Sequence, residues 1–273
     1  MAVIQIGDLT VNRLGFGAMR VIDNDDIWGE PSDRKHAIKV LRRAVELGIN
    51  FFDTAESYGP HTSEMLIGEA LHPYPKGFVV ATKCGLVRPK ASRWDSDARP
   101  EKLRQDLEGS LQRLKLERID LYQLHAPDPK VPLAVSVGTL ADMQREGKVR
   151  HVGLSNVSVK ELEAARKIVP IVSVQNRYSL SDRSSEEVLL HCEKHGIAFL
   201  PWYPLGDGSA LQKRNVVSVS RKIGATPAQV AIAWLLKKSP QMLPIPGTGN
   251  LAHLEENAAA AKLELSDADF RSL

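Results

Sequence analysis

The stretches Val79-Val80-Ala81-Thr82-Lys83 and Asp120-Leu121-Tyr122-Gln123-Leu124-His125 decide the fold of this chain. Each begins as an apolar run typical of a buried strand and ends abruptly at a polar side chain. The segment Asn50-Phe51-Phe52-Asp53 has the same form, and Tyr58 follows it closely. Because the carboxyl ends of parallel strands meet at one edge of a sheet, we expect an Asp, a Tyr, a Lys and a His to gather there. Such a group is suited to proton transfer.

Strand and helix patterns alternate along the rest of the chain. An opening hairpin is predicted from Val3–Ile6 and Leu9–Asn12, which flank Gly7-Asp8. The predicted strands are residues 13–18, 50–53, 78–83, 119–125, 149–154, 171–175, 197–202 and 243–245. The predicted helices are residues 34–47, 63–71, 100–114, 132–146, 158–168, 184–195, 215–223, 227–238 and 251–259.

This alternation predicts an α/β fold with a parallel sheet covered by helices. Eight strand–helix units in 273 residues favour a single (β/α)8 TIM barrel over residues 1–273, since such barrels typically have roughly 250 residues. A doubly wound open sheet is the alternative fold. It is disfavoured because Gly15-Phe16-Gly17-Ala18-Met19-Arg20 carries only the first half of a G-x-G-x-x-G fingerprint.

Composition restricts the function class. The chain is 43% hydrophobic and 25% charged, with a net charge of only +3 and no clustering of basic residues, so nucleic-acid binding is not expected. Neither a membrane-spanning run nor a signal-peptide pattern occurs, and Cys84 and Cys192 are far apart without metal-ligand spacing. We therefore expect a cytoplasmic protein, a monomer or weak oligomer, without a metal site or a membrane partner.

Asp53, Tyr58, Lys83 and His125 together suit one kind of chemistry. Each residue alone has an ordinary structural explanation. Three adjacent predicted strands that all end in titratable groups are, however, poorly explained by coincidence. Lys83 is expected to lower the tyrosine pKa from about 10, while Asp53 holds Lys83 charged. His125 can orient a carbonyl oxygen or share its proton with Tyr58. None of them supplies a hydride, so reduction of a carbonyl requires a cofactor.

Several ordered motifs resemble those of the aldo-keto reductases. They cover nearly the whole chain and are Leu14-Gly15-Phe16-Gly17-Ala18-Met19, Phe52-Asp53-Thr54-Ala55 with Tyr58-Gly59, Thr82-Lys83, residues 120–125, Gly153-Leu154-Ser155-Asn156, Val174-Gln175-Asn176-Arg177-Tyr178, Trp202-Tyr203-Pro204-Leu205-Gly206, and Ile245-Pro246-Gly247-Thr248 with Glu256-Asn257. The resemblance implies an NADP(H)-dependent carbonyl reductase on a (β/α)8 barrel. Asp53, Tyr58, Lys83 and His125 would be its catalytic tetrad, with Tyr58 as the proton donor.

The resemblance also implies where the cofactor binds. Ser155, Asn156 and Gln175 match positions that hold the nicotinamide carboxamide, and Trp202 matches an aromatic ring on the nicotinamide face. The loop from Leu205 to residue 210 would cross the pyrophosphate. Amides of the Gly247-Thr248-Gly249-Asn250 turn, before a helix, would meet a phosphate. The implied cofactor-binding residues are Gly17, Met19, Arg20, Asp53, Ser155, Asn156, Gln175, Trp202, Pro204, Leu205, Gly206, Gly247, Thr248, His253, Glu256 and Asn257.

Two departures from the resemblance affect cofactor choice and pocket shape. Gly247 and His253, neither of which carries a permanent charge, stand where many relatives carry a Lys and an Arg, so NAD(H) is not excluded although NADP(H) is expected to be preferred. The chain ends at Leu273, soon after the last predicted helix, so a short C-terminal tail and a shallow, open pocket are expected. Trp28 and Trp94 either line that pocket or anchor their own loops.

The substrate class is the least determined prediction. The pattern is most similar to a bacterial branch that includes pyridoxal reductases, so a small carbonyl compound, such as an aromatic aldehyde, is expected. Two other functions remain open: a cofactor-bound regulatory subunit without turnover, and a Schiff-base aldolase with Lys83 as the nucleophile. Against the aldolase, Asp53 would keep Lys83 protonated.

Overall fold

The computed structural model describes residues 2–206 and 208–273. Its strands are β1 (Val3–Ile6), β2 (Leu9–Asn12), β3 (Phe16–Gly17), β4 (Phe51–Asp53), β5 (Val79–Cys84), β6 (Leu86–Lys90), β7 (Arg93–Ser96), β8 (Ile119–Leu124), β9 (Val149–Ser155), β10 (Ile171–Arg177) and β11 (Ala198–Trp202). Its α-helices are α1 (Arg34–Glu46), α2 (Thr62–Leu71), α3 (Pro100–Leu114), α4 (Leu133–Arg145), α5 (Val159–Arg166), α6 (Glu186–His195), α7 (Arg214–Ile223), α8 (Pro227–Lys238), α9 (Leu251–Ala259) and α10 (Asp267–Ser272).

Seven strands form one parallel sheet in the order β3-β4-β5-β8-β9-β10-β11. Every residue of β4 and β5 is buried, as expected for strands covered by helices on one side and by barrel-like packing on the other. In the register, Asp53 pairs with Ala81 and Lys83 with Gln123, so these strands end at neighbouring positions. The predicted convergence of polar residues therefore follows from the strand register.

The segment 241–246 lies between the two edges of this sheet. The Phe199 amide donates to the Gln241 carbonyl at 2.8 Å, and the Leu243 amide donates to the Phe199 carbonyl at 2.9 Å. On the other side, the Gly15 amide donates to the Pro244 carbonyl at 2.9 Å. The predicted strand 243–245 is wrong as a regular strand, since only an isolated bridge at Met242 is formed. Prolines at 244 and 246 have no amide hydrogen, so a continuous ladder cannot form there.

The first predicted strand is also shorter than expected. Only Phe16–Gly17 pairs with β4, and a 3-10 helix over Ala18–Val21 follows directly. The opening hairpin, in contrast, is present as β1 and β2 in antiparallel register. Its inward side chains form one apolar cluster with residues near the starts of the barrel strands, so the hairpin covers the end opposite the strand tips. That cluster contains Ile4, Ile6, Leu9, Val11, Phe51, Val79 and Leu121.

Helix ends follow local sequence signals. Pro100 lies in the first turn of α3, and capping boxes begin α5 (Ser158 with Glu161) and α8 (Thr226 with Gln229). The β6–β7 hairpin and α10 escaped prediction. Within residues 2–206 and 208–273, no helix combines the length and the apolar character needed to cross a membrane.

Candidate active site

A cavity of about 790 Å³ opens at the carboxyl ends of the parallel strands. Most of the residues implicated by the sequence contribute to its wall. These are Gly17, Met19, Arg20, Asp53, Tyr58, Trp94, His125, Ser155, Asn156, Gln175, Trp202, Pro204, Leu205, Gly206 and Gly247. Lys83 lies just behind this wall, fully buried, and contacts two of these residues.

The Lys83 ammonium group is the centre of a buried polar network. Its Nζ atom donates to Asp53 Oδ2 at 2.7 Å, to the Thr54 carbonyl at 2.9 Å and to the Tyr58 hydroxyl at 3.2 Å. These three acceptors use all three ammonium hydrogens. Burial alone lowers the pKa of Lys83, but Asp53 and Tyr58 raise it, and the net direction is upward. Lys83 therefore carries its charge inside the protein core.

The other carboxylate oxygen of Asp53 is held by two amide side chains. Oδ1 accepts hydrogen bonds from Gln175 Nε2 at 2.8 Å and from Gln123 Nε2 at 3.3 Å. The carboxylate is thus fixed by donors from three different strands of the sheet. Gln123 was missed as a site residue, although its position two residues before His125 places both on the same face of the strand.

Tyr58 differs from expectation in its acidity. Burial raises the pKa of Tyr58 above its usual range, and Asp53 adds to this, while Lys83 acts in the opposite direction. Lys83 lowers this pKa as predicted, but the net shift is upward, because desolvation of the phenolate outweighs the nearby positive charge. Tyr58 is a neutral phenol that receives a hydrogen bond from an ammonium group, which suits a proton donor.

His125 is a neutral imidazole beside Tyr58. Burial lowers the pKa of His125 well below its usual range, and the Lys83 charge lowers it further. The two rings meet edge to face with centroids 5.7 Å apart. The Ser57 hydroxyl, which sequence reasoning missed, lies 3.4 Å from His125 Nδ1. Donation from Ser57 would leave the imidazole proton on Nε2, from which it can donate a hydrogen bond to a substrate oxygen.

Asn156 connects several of the residues implicated in nicotinamide binding. Its Oδ1 atom accepts from Trp202 Nε1 at 2.9 Å, and its Nδ2 atom donates to the His125 carbonyl and to Ser155 Oγ, both at 3.0 Å. Its backbone has φ of 59°, in the left-handed region that Asn tolerates better than most residues. The amide of Asn156 therefore links the indole of Trp202 with the end of β8.

Gly17 and Gly247 mark a close approach of two backbone segments. A Cβ atom at Gly247 would lie 2.3 Å from the Gly17 carbonyl oxygen, and one at Gly17 would lie 2.6 Å from the Ile245 carbonyl oxygen. No side chain fits at either position without moving the backbone. Glycine at position 247 is thus required by the packing of this chain.

The predicted phosphate-binding turn lies directly before α9 and is held by hydrogen bonds of Asn250. Asn250 Oδ1 accepts from the amides of Ala252 and His253 at 2.8 and 3.2 Å, and the Asn250 amide donates to Thr248 Oγ1 at 3.0 Å. The Asn250 side chain thus caps the first turn of α9, and the Asn250 amide is bonded within the turn; phosphate binding by this turn stays a prediction. Arg20 is exposed on the cavity wall and offers a positive charge to a phosphate.

The residues expected to meet adenine lie away from the cavity wall. Glu256 accepts a hydrogen bond from Thr226 Oγ1, and Asn257 is buried. Thr248 and His253 are likewise outside the set of wall residues in the described part of the chain. The Leu205–210 loop includes residue 207, which lies outside the described residues.

An arginine sandwiched between two tryptophans borders the cavity. The guanidinium carbon of Arg88 lies 3.7 Å from the Trp94 ring centre and 5.3 Å from the Trp28 ring centre. Its nitrogens donate to the backbone carbonyls of Asp26, Ile27 and Ala91. Trp94 reaches the cavity and meets Tyr58 edge to face at 6.3 Å, whereas Trp28 packs in the outer layer against Arg88.

Comparison with known proteins agrees with this geometry. The model of the aldo/keto reductase family matches residues 13–273. The chain belongs to the aldo-keto reductase family. This aldo-keto reductase is 48% identical to an uncharacterized oxidoreductase of Schizosaccharomyces pombe over 99% of the chain and 88% of that protein.

Two further relatives are more informative about chemistry. This aldo-keto reductase is 41% identical to pyridoxine 4-dehydrogenase of Escherichia coli, over 96% of the chain and 93% of that enzyme. A crystal structure of a Gox0644 variant in complex with NADPH superposes with a TM-score of 0.80 at 26% identity, covering 99% of this chain and 92% of that one.

Proposed function

We propose that this aldo-keto reductase reduces an aldehyde or ketone to an alcohol with NADPH as the hydride donor. The observation that carries the proposal is the Asp53–Lys83–Tyr58 chain of contacts at the cavity wall, with Lys83 Nζ 3.2 Å from the Tyr58 hydroxyl. Segment 241–246 is proposed as the eighth member that closes a (β/α)8 barrel around this site.

The chain's own residues divide the work. The phenol of Tyr58 would donate its proton to the carbonyl oxygen as negative charge develops there. Lys83 would stabilise the phenolate left behind, since opposite charges this close favour the ionised form. Neutral His125 would donate a hydrogen bond to the same oxygen, and Asp53 would keep Lys83 in place. NADPH, when bound, supplies the hydride.

The cavity residues fit a nicotinamide nucleotide. Ser155, Asn156 and Gln175 offer uncharged donors and acceptors at the strand ends, which suit a carboxamide. Trp202 offers a flat aromatic surface next to them. Arg20 is proposed to contact the 2′-phosphate, since two amides in the first turn of α9, those of Ala252 and His253, are already bonded to Asn250. The Gox0644 complex with NADPH supports the same cofactor here.

The substrate is proposed to be an aromatic aldehyde of the pyridoxal type. The similarity to pyridoxine 4-dehydrogenase supports this class. Trp94 provides an aromatic wall beside Tyr58, against which a flat ring can pack. An aldolase reaction through Lys83 is disfavoured, because the raised pKa of Lys83 keeps its amine protonated and unreactive.

Parallel assays of cofactor oxidation test the proposal. Purified protein is mixed with NADPH or NADH and with pyridoxal, benzaldehyde or a simple ketone, and absorbance loss is followed. We expect turnover with NADPH, and a higher rate with aromatic aldehydes than with simple ketones. NADPH binding without reduction of any carbonyl would instead support a regulatory subunit. A substrate adduct trapped by borohydride would support the aldolase.

A further inference from the structure

A cluster of metal-ligating side chains lies outside the active site. Glu163 on α5 faces His191 and His195, which are one turn apart on α6 and so share a face of that helix. His195 also lines a separate cleft of about 390 Å³ together with Ile171 and Ile197, which stand at the starts of β10 and β11. The cluster is therefore at the end of the sheet opposite the cofactor cavity.

The geometry of the three side chains suits one ion. One candidate ligand atom from each residue lies within 4.8 Å of the other two, and the two imidazole rings have centroids 4.3 Å apart. A tetrahedral zinc ion with bonds of about 2.0–2.1 Å requires ligand atoms about 3.4 Å apart. Rotation of these partly exposed side chains, with their ligand atoms moving by about 1 Å, would bring the three atoms to that spacing.

The second nitrogen of one histidine is already oriented as in metal sites. His195 Nδ1 lies 2.9 Å from the His191 carbonyl oxygen, so its proton belongs on Nδ1 and the Nε2 lone pair is free. His191 Nε2 lies 2.7 Å from Glu163 Oε1, which places an imidazole nitrogen and a carboxylate side by side. The cleft beside His195 leaves room for water as a further ligand.

One neighbouring charge opposes a cation. Arg166 Nη1 lies 2.5 Å from Glu163 Oε1 and neutralises part of the carboxylate charge. An ion would compete with this arginine for Glu163 and would replace the proton between His191 and Glu163. Two imidazoles and one carboxylate are the donor set that zinc accepts, whereas calcium and magnesium prefer oxygen alone.

We infer that Glu163, His191 and His195 form a binding site for a divalent transition-metal ion of the zinc type, which joins α5 to α6. The inference is independent of the catalytic proposal, since none of these residues lines the cofactor cavity. The ion would act as a structural clamp, because it binds the folded arrangement and not the unfolded chain.

Titration calorimetry of the untagged protein with zinc chloride tests this site. We expect one ion to bind per chain and the thermal unfolding temperature to rise with zinc concentration. His195→Gln and Glu163→Gln should each weaken binding by more than about tenfold, since each removes a direct ligand. Lys194→Gln is the matched control on the same helix, because Lys194 is exposed and outside the cluster; it should leave affinity unchanged.

The variant Arg166→Gln distinguishes a metal-ligand role of Glu163 from a merely structural one. It removes the competing cation from Glu163 and should therefore tighten zinc binding. Circular dichroism establishes that each variant is folded. Absence of saturable binding to the parent protein, equal affinity in His195→Gln, or weaker binding in Arg166→Gln would each overturn the inference.

Discussion

The Tyr58 hydroxyl lies 3.2 Å from the ammonium nitrogen of Lys83, which is fully buried behind the cavity wall that Tyr58 lines. Burial raises the pKa of Tyr58, so the hydroxyl remains protonated in the resting protein. When the proton leaves, the Lys83 charge stabilises the phenolate, because the two opposite charges then face each other in a poorly solvated site. The pair thus stores a proton at rest and stabilises its loss during reduction.

Tyr58→Phe removes this proton and little else. We expect kcat for aldehyde reduction to fall by about 10²–10⁴-fold, the usual contribution of a general acid. NADPH affinity, measured by fluorescence titration, should change little. Tyr203→Phe is the matched control, since Tyr203 also lines the cavity but is exposed. Near-normal turnover in Tyr58→Phe would rule out the assigned proton donor.

Asp53→Asn leaves Lys83 as a buried charge without a counter-ion. Removing one partner of a buried ion pair typically costs about 3–5 kcal/mol, so we expect a loss of that size in the free energy of unfolding by urea. Adding Lys83→Met should restore part of it, because the stranded charge is gone. Asp95→Asn, which breaks an exposed pair with Arg93, should cost less than about 1 kcal/mol. Fully additive effects of the two buried substitutions would contradict this coupling.

The sequence predicted the order of strands and helices well, because alternating buried runs and caps are local signals. It located Asp53, Lys83 and His125 at strand ends for the same reason. It did not predict the sign of the Tyr58 pKa shift, since the balance of burial against one nearby charge depends on three-dimensional packing. Likewise, only the structure places the Asn250 side chain on the amides of Ala252 and His253.

Arg88→Met should alter substrate selection without altering the chemistry. Arg88 stacks on Trp94 and ties the loop before α1 to the β6–β7 hairpin through backbone carbonyls. With this tie removed, Trp94 loses its fixed orientation, and KM for aromatic aldehydes should rise by about tenfold, equivalent to about 1.4 kcal/mol. KM for a small aliphatic aldehyde should change little.

The matched control for Arg88→Met is Arg93→Met. Arg93 lies in the same hairpin but is exposed and paired with Asp95. Steady-state kinetics with both aldehydes distinguishes the two variants. An equal rise in KM for both aldehydes in Arg88→Met would point to general loosening of the site instead of selection through Trp94.

Arg20→Gln tests the proposed phosphate contact. A charge-assisted hydrogen bond contributes about 1.5–3 kcal/mol, so kcat/KM with NADPH should fall by about tenfold or more while the value with NADH stays nearly constant. His253→Gln, on the exposed first turn of α9, should have the smaller effect. If His253→Gln alone abolished the preference for NADPH, the phosphate would have to contact α9 and not Arg20.

The buried carboxyl group of Glu56 is expected to make the free energy of unfolding depend on pH. Burial raises the pKa of Glu56 to about 8, with nearby Asp106 adding to the shift, and its Oε1 atom has no hydrogen-bond partner within the described chain. Between pH 4.5, the ordinary pKa of a glutamate side chain, and pH 8, the unfolded chain has lost this proton while the folded protein keeps it. The contribution of Glu56 to stability therefore falls as pH rises through this window, by at most about 1.4 kcal/mol per pH unit.

Glu56→Gln keeps the shape of the side chain and removes its titration. We expect the variant to lose that downward slope, so its free energy of unfolding relative to the parent should increase steadily from pH 5 to pH 8. Urea unfolding at several pH values measures this difference and cancels the other titrating groups, including His125. Glu117→Gln, at an exposed position, is the control and should follow the parent at every pH. Parallel curves for Glu56→Gln and the parent would mean that Glu56 is ionised in the folded protein, and its charge would then have to be balanced by Lys102 and Arg113.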